Sequence, residues 1–396
     1  VGFTSRTCST PSLDCARSMP DDAVEQLNDC RRRVADAAFR IPAPELNREL
    51  AQSAGKRDGA LSARMLRINA ALAPLIEEAV MLACRNLGFP REMVDVYVRP
   101  QQEINAYSSR DGERAVVTLN SLMVEISDVD EIAYVVGHEL GHYLLPESNV
   151  RTDTQSVEGC MLSRNNEFTM DRIGLLACRS VEKACSAEMK TLSGLSSRFL
   201  RVDVSALIDQ WREASRSLAA SGEWIYATHP PPGMRAKALV RFHGSDAYRK
   251  FIGQADGEPI AAVNEAIGHE LDHLVDRKAH AIITDELNKL CGWLCAFMAA
   301  QNIKVRAAGL RHGLCQAPED ILKKCIGFVL NEASPSSRIT VANERLVSAI
   351  QKCSEIAPGH TRVYLQAVAN DCVEMKPLVA QLTELTKQRG IMILSE

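Results

Sequence analysis

Apolar residues recur at helical spacing over most of the chain, with charged residues between them. This periodicity predicts one helix over residues 21–39 and a long amphipathic helix over about residues 61–87. Gly88 and Pro90 end the second helix, because glycine favours the position after a helix and proline cannot continue one. Residues 1–60 are therefore interpreted as a loose lead-in followed by a helix.

Apolar and polar residues alternate in the next part of the chain, which is typical of strands. The predicted strands are residues 94–98, 104–108 and 115–119. Asp111 and Gly112 lie between the last two and indicate a hairpin. A further helix is expected to begin near Asp128, which can cap it, with Glu131 in its first turn.

The pattern beyond Asp203 is almost wholly helical, apart from the Pro-Pro-Pro-Gly break at residues 230–233. Residues 254–259 read Gln-Ala-Asp-Gly-Glu-Pro and are the expected linker. Two domains follow the N-terminal segment of residues 1–60: residues 61–253 and an all-α C-terminal domain of residues 258–396. The fold class is α+β, mostly helical, with a small antiparallel sheet.

The charge of the chain excludes several function classes. It has 46 basic and 50 acidic residues, a net charge of −4, which argues against a protein that coats nucleic acid. Aromatic residues make up 5%, too few for a platform that stacks bases. No run approaches the ~18 unbroken apolar residues of a membrane span, so stable membrane insertion is not expected.

The thirteen cysteines are scattered from Cys8 to Cys372, and none has the paired spacing of a zinc ribbon. Dispersed cysteines of this kind fit reduced thiols, which predicts a cytoplasmic protein. The chain begins at Val1, and a processed N-terminus would leave a periplasmic or secreted location open.

The motif His138-Glu139-Leu140-Gly141-His142 lies in the helix expected to begin near Asp128. Side chains four apart return to the same helix face, so the two imidazoles can bind one zinc ion. Glu139 can reach the attacking water and act as general base. Nine histidines and 50 acidic residues in random order give about 0.03 such matches, so chance is a poor explanation.

A third metal ligand is expected from the segment that follows the motif. Glu167 and Asp171 are four residues apart and face the same way on a helix. Glu167 can ligate the metal, while Asp171 accepts the N–H of a ligating imidazole and fixes its orientation. The alternative is a solvated acidic helix start with asparagine caps.

From about residue 61 to 242 the chain resembles the zinc metallopeptidases that include HtpX and the CAAX prenyl proteases, a branch of the gluzincins. Besides the two motifs just described, three elements carry the resemblance: Leu87-Gly88-Phe89-Pro90 before a strand, Ile104-Asn105-Ala106-Tyr107, and Thr228-His229-Pro230 followed by Arg235. The resemblance implies that residues 61–253 form a zincin-like metallopeptidase domain.

The resemblance also implies a role for each matched residue. The zinc ligands would be His138, His142 and Glu167, with Glu139 as base and Asp171 in support of a ligand. His229 would stabilise the oxyanion of the tetrahedral intermediate, with Arg235 supporting it. Asn105 and Ala106 would lie on the edge strand that pairs with an extended peptide. For Asn105, His229 and Arg235, an ordinary structural role is the alternative.

A second motif, His269-Glu270-Leu271-Asp272-His273, is extended along one helical stripe by Asp276 and His280. Read as chemistry, the stripe is a second metal site or a pH-sensitive face. No Glu…Asp pair follows at suitable spacing, and the resemblance does not extend here. The favoured interpretation is an exposed polar face or interaction surface.

The sequence therefore predicts a zinc-dependent endopeptidase with one zinc ion per chain, acting on protein or peptide substrates. Many relatives carry transmembrane helices, and their absence from this sequence argues against lipid or prenyl-protein substrates. The alternative is a latent or inactive zincin-fold interaction or chaperone-like protein that acts through its helical C-terminal domain. The N-terminal lead-in of residues 1–60, or a loop at residues 159–166, could block the cleft. The C-terminal helices could support an oligomer.

Overall fold

The structure, a computed structural model of the chain, describes residues 21–38, 64–145, 155–221, 224–302 and 315–371. A four-stranded sheet packs with most of the helices before residue 260, and the later helices build a second apolar core. The α+β fold class is confirmed. The predicted lead-in before residue 21 lies outside the described residues.

The described elements follow one another along the chain without internal repeats. The strands are β1 (Leu66–Arg67), β2 (Val94–Arg99), β3 (Ala106–Asp111) and β4 (Arg114–Asn120). The helices of the first part are α1 (Asp21–Ala38), α2 (Pro74–Leu87), α3 (Ser121–Ile126), α4 (Val129–Leu144), α5 (Val157–Cys178), α6 (Val181–Ser193), α7 (Val204–Ser221), α8 (Pro232–His243) and α9 (Asp246–Phe251). The helices of the second part are α10 (Ile260–Glu270), α11 (Arg277–Ala300), α12 (Glu319–Leu330), α13 (Pro335–Ile356) and α14 (Pro358–Asp371).

The sheet is mixed, so the expectation of an antiparallel sheet was wrong for one pairing. The strand order is β1-β2-β4-β3, and β4 runs parallel to β2 but antiparallel to β3. The hairpin at Asp111 and Gly112 is confirmed, with Asp111 opposite Arg114. The apolar strand β4 is almost wholly buried and takes the centre, whereas the polar strand β3 is left at the edge.

The long helix expected from residue 61 begins only at Pro74. Leu66 and Arg67 pair with β2 as a short strand instead. The Asn69 side chain then accepts the N–H groups of Ala71 and Leu72, which makes a turn before the helix. The predicted end is confirmed, because Gly88 adopts a left-handed conformation with φ of 74°.

Helix α4 begins and packs in a way that fixes its position against α5. Asp128 and Glu131 form a reciprocal capping box at its start, as the sequence predicts. A Cβ atom at Gly137 would lie 2.2 Å from Cβ of Ala177, and one at Gly174 would lie 2.8 Å from the Tyr134 ring. These glycines let the two helix backbones approach closely, which brings their side chains within reach of one metal ion.

Residues 159–166 are helical, so the loop expected there was wrong. They belong to the first half of α5, which Ser156 caps by accepting the N–H of Gly159. Continuous helix keeps the predicted ligand Glu167 and Asp171 on one face, four residues apart. The first half of α5 is therefore continuous with the segment that carries Glu167 and Asp171.

Helix α5 also contacts the C-terminal helices. Arg164 and Asp276 form a fully buried ion pair with Nη2 and Oδ1 2.5 Å apart. Glu158 accepts the backbone N–H groups of Gly359 and His360 at the start of α14, at 2.6 and 3.1 Å. A carboxylate at a helix N-terminus is a favourable cap, so α5 is held at two points. The predicted domain boundary near residues 253–258 stays a prediction.

No helix in the described ranges is both long enough and apolar enough to span a bilayer.

Candidate metal centre

The three predicted ligands lie together between α4 and α5. Ligand atoms of His138, His142 and Glu167 are all within 4.8 Å of one another. Glu167 Oε2 is 3.3 Å from His138 Nε2, and Glu167 Oε1 is 3.8 Å from His142 Nε2. In the part of the chain that the structure describes, this is the one cluster of three such side chains with metal-ligand spacing.

The donor set fits a zinc ion. Two imidazole nitrogens and a carboxylate oxygen are a common zinc ligand set of catalytic sites, which leave a further position for water. Glu167 is 5% exposed, and its buried Oε2 atom has no hydrogen-bond partner among the described residues. An unsatisfied carboxylate oxygen that faces two imidazoles is costly alone, and a cation would satisfy it.

Asp171 lies on the far side of His138 from Glu167. Its Oδ1 atom is 3.1 Å from His138 Nδ1, so Nδ1–H can donate to Asp171 and leave Nε2 facing Glu167. Arg235 donates from Nε to Asp171 Oδ2 at 2.8 Å and also bonds Oδ1. These contacts hold the Asp171 carboxylate beside the His138 ring.

Two members of this network were missed by the sequence analysis. The Tyr134 hydroxyl lies 3.1 Å from Asp171 Oδ1 and 2.7 Å from Glu188 Oε1. Arg235 Nη1 lies 2.9 Å from Glu188 Oε2. The two groups form an ion pair, but their geometry is not that of a hydrogen bond. Tyr134 precedes His138 by one helical turn, which was the one local signal available. Glu188 carried no signal, because it comes from a separate helix.

Burial and the opposing charges shift the pKa values of these groups. Burial lowers the pKa of His138, but its contacts with Asp171 and Glu167 outweigh burial and raise the pKa to about 10. Burial raises the pKa of Glu167, but the contact with His138 outweighs it and lowers the pKa to about 2. The pKa of Asp171 is lowered against its burial by Arg235 and His138. Burial raises the pKa of Glu188 to about 7.

His229 lies at the margin of the cluster. Its Nε2 atom is 3.5 Å from Glu167 Oε2, and its side chain is 62% exposed. The expected support of His229 by Arg235 stays a prediction. Among the described contacts Arg235 bonds Asp171 and pairs with Glu188, whereas His229 Nδ1 lies 3.0 Å from Thr228 Oγ1. The guanidinium is turned toward the two carboxylates because they neutralise it inside the protein.

Asn105 and Ala106 lie at the start of the edge strand β3. The backbone carbonyl of Asn105 accepts the N–H of Asn120, so Ala106 and Leu119 are a non-hydrogen-bonded pair of the antiparallel ladder. The N–H and C=O of Ala106 and of Ser108 therefore point away from β4. Asn105 Oδ1 accepts the N–H of Ala106 at 2.9 Å. The strand lies beside the site helix, since Arg110 donates to the Tyr143 carbonyl at 2.7 Å.

The second His-Glu motif does not form a similar cluster. Glu270 accepts Trp211 Nε1 at 3.0 Å and Lys237 Nζ at 2.6 Å, so its carboxylate is directed into these contacts. The His269 and His273 side chains are exposed, with ring centroids 4.2 Å apart. The segment Leu271–Val275 is a π-helix, which breaks the regular stripe that the sequence predicted.

The comparisons with known proteins agree with this geometry. The model of peptidase family M48 matches residues 69–159, which include His138, Glu139 and His142 but end before Glu167. A curated relative, the chloroplastic plastoglobule-localized metallopeptidase 48 of Arabidopsis thaliana, is 25% identical over 42% of this chain and 56% of its own length. The chain thus spans little more than half of that relative.

No solved structure matches the chain. The family match nevertheless covers three of the five elements that carry the sequence resemblance: residues 87–90, residues 104–107 and the His138–His142 motif. It also covers α4, the helix that supplies both histidines of the cluster. By these matches the chain is similar to peptidase family M48 over residues 69–159.

Proposed function

We propose that this protein is a zinc-dependent metalloendopeptidase that hydrolyses peptide bonds of protein or peptide substrates. The observation that carries the proposal is the convergence of His138, His142 and Glu167 beside Glu139. The three ligands would hold one zinc ion per chain. Zinc in such a site polarises the carbonyl of the scissile bond and acidifies the attacking water.

Glu139 is the general base. Its carboxylate takes a proton from the attacking water and then gives that proton to the nitrogen of the leaving amine. Glu139 follows the ligand His138 directly in α4 and is 7% exposed.

His229 supports the same step from the margin of the cleft. Its exposed ring can donate a hydrogen bond to the oxyanion that forms when water adds to the carbonyl carbon. Asp171 holds the His138 ring through Nδ1, and Arg235 holds Asp171. These contacts fix the direction of the ligand nitrogen before substrate arrives.

The substrate peptide would bind in extended form along β3. Ala106 and Ser108 present backbone groups away from β4, and an added strand pairs through such groups. The N–H of Ala106 already donates to the Asn105 side chain. A substrate peptide would therefore pair with the carbonyl of Ala106. The edge lies beside α4, which directs a bound peptide past the metal ligands.

The runner-up function is a zincin-fold interaction protein without catalysis. Retention of Glu139 favours catalysis, because this residue transfers protons and is not a proposed metal ligand. Residues 61–253 would form the catalytic unit, and residues 258–396 would serve docking, regulation or oligomerisation. A cytoplasmic location stays a prediction.

Metal removal tests the proposal. The zinc-loaded chain should cleave a fluorescently labelled unfolded protein, 1,10-phenanthroline should stop cleavage, and added zinc should restore it. The non-chelating isomer 1,7-phenanthroline is the matched control and should have no effect. A chain that carries one zinc ion and leaves the labelled protein intact would favour the interaction protein instead.

The second His-Glu motif should be dispensable for catalysis. The double variant His269→Ala/His273→Ala should keep one zinc ion per chain and cleave within about twofold of the unaltered rate, because Glu270 is engaged by Trp211 and Lys237. The matched variant His138→Ala/His142→Ala should lose both zinc and cleavage. Loss of zinc or of activity in the first variant would assign that motif a functional metal.

A further inference from the structure

Glu188 is a buried carboxylate that neither the motifs nor the proposed catalytic steps use. It lies on α6, is 3% exposed, and faces partners from two other helices. The Tyr134 hydroxyl of α4 is 2.7 Å from its Oε1 atom. Arg235 Nη1 of α8 is 2.9 Å from its Oε2 atom. A buried carboxylate with two such contacts is costly unless both are kept.

Both partners of Glu188 also contact Asp171. The Tyr134 hydroxyl is 3.1 Å from Asp171 Oδ1, and Arg235 Nε is 2.8 Å from Asp171 Oδ2. Asp171 Oδ1 in turn lies 3.1 Å from His138 Nδ1. A continuous chain of contacts therefore runs from Glu188 through Tyr134 and Arg235 to Asp171 and then to His138.

The hydroxyl of Tyr134 can donate its single proton to one carboxylate at a time. When Glu188 carries a proton, it donates to the Tyr134 oxygen, and Tyr134 donates to Asp171. Burial raises the pKa of Glu188 to about 7, which makes this arrangement accessible near neutral pH. Asp171 then receives Tyr134, Arg235 and His138 as donors and stays ionised.

We propose that Glu188 is a positioning residue of the metal site, which holds Tyr134 and Arg235 against Asp171 and so fixes the His138 ring. The inference rests on the proposed zinc site. Glu188 contacts none of the proposed metal ligands and acts on His138 only indirectly, through Tyr134 and Arg235 and then through Asp171. Its effect should therefore be seen in the affinity for zinc, since a misdirected Nδ1 contact misdirects the Nε2 atom.

A merely structural role for Glu188 predicts something else. Glu188 joins α6 to α4 and α8, so its loss would lower the melting temperature under either explanation. Only a positioning role also changes the zinc affinity of the chains that remain folded. Glu131 offers the matched control, because it is a buried glutamate of α4 that bonds Ser186 and Lys190 of α6 away from Asp171.

The experiment measures the zinc dissociation constant of the full chain by competition with a chromogenic chelator, together with the melting temperature of the zinc-free chain. Glu188→Ala should raise the dissociation constant about tenfold, the lower end of what loss of such a supporting contact costs. Glu188→Gln should recover to within about threefold, because its amide mimics the protonated carboxyl toward Tyr134 and Arg235. Tyr134→Phe should raise the constant by about threefold to tenfold.

Glu131→Ala and Ser186→Ala should lower the melting temperature but leave the zinc dissociation constant within about twofold. An unchanged zinc affinity in Glu188→Ala, or an equal loss in Glu131→Ala, would overturn the proposal. If Glu188→Ala does not fold, an unchanged affinity in Tyr134→Phe overturns it instead. Failure of the unaltered chain to bind zinc would refute the metal site itself. This outcome is distinct from failure of the Glu188 proposal, which requires that the unaltered chain binds zinc and that Glu188→Ala binds it equally well.

Discussion

The variant Glu139→Gln should bind one zinc ion per chain and lose peptide cleavage by about 10³-fold, within the usual contribution of a general base. The amide keeps the volume of the side chain and cannot accept the proton of the attacking water. Glu139 follows His138 in α4 but is not one of the three clustered ligands, so the metal should stay. Elemental analysis and cleavage of a labelled unfolded protein measure the two effects separately.

Two results would contradict this assignment. Full activity in Glu139→Gln would show that another group accepts the proton. Loss of zinc in the same variant would show that Glu139 supports the metal. The lower cleavage rate would then follow from the missing zinc and would not identify Glu139 as the base. Glu131→Gln is a suitable control for a buried glutamate of the same helix, since Glu131 bonds Lys190 and lies outside the cluster.

The variant Glu167→Ala should weaken zinc binding by about 100-fold or more, because it removes one of three donors outright. The zinc content after dialysis should fall well below one ion per chain, and cleavage should fall with it.

Glu158→Ala is the matched control on the same helix. Glu158 lies more than two turns before Glu167 and caps α14, so its loss should lower the melting temperature without removing zinc. Unchanged metal content in Glu167→Ala would identify another side chain as the third ligand. Equal loss of zinc in Glu158→Ala would mean that α5 has to be held by α14 for the site to form.

Some elements followed from local sequence alone. The capping box of Asp128 and Glu131, the hairpin at Asp111 and Gly112, and the end of α2 at Gly88 each depend on residues a few positions apart. The start of α2 could not be predicted in this way. Leu66 and Arg67 form a strand because they pair with β2, and this pairing is a contact between distant segments. The parallel pairing of β2 with β4 is likewise a contact between segments, which periodicity does not encode.

The sequence by itself determined which side chains could share a metal ion, because helical spacing puts His138 and His142 on one face and Glu167 on the same face as Asp171. Only the tertiary structure decided that the two faces meet, and that Arg235 turns to Asp171 and Glu188. The reason is the range of the interactions. Backbone hydrogen bonds within one helix set the first arrangement, whereas the second depends on the burial of charges from four helices at one point.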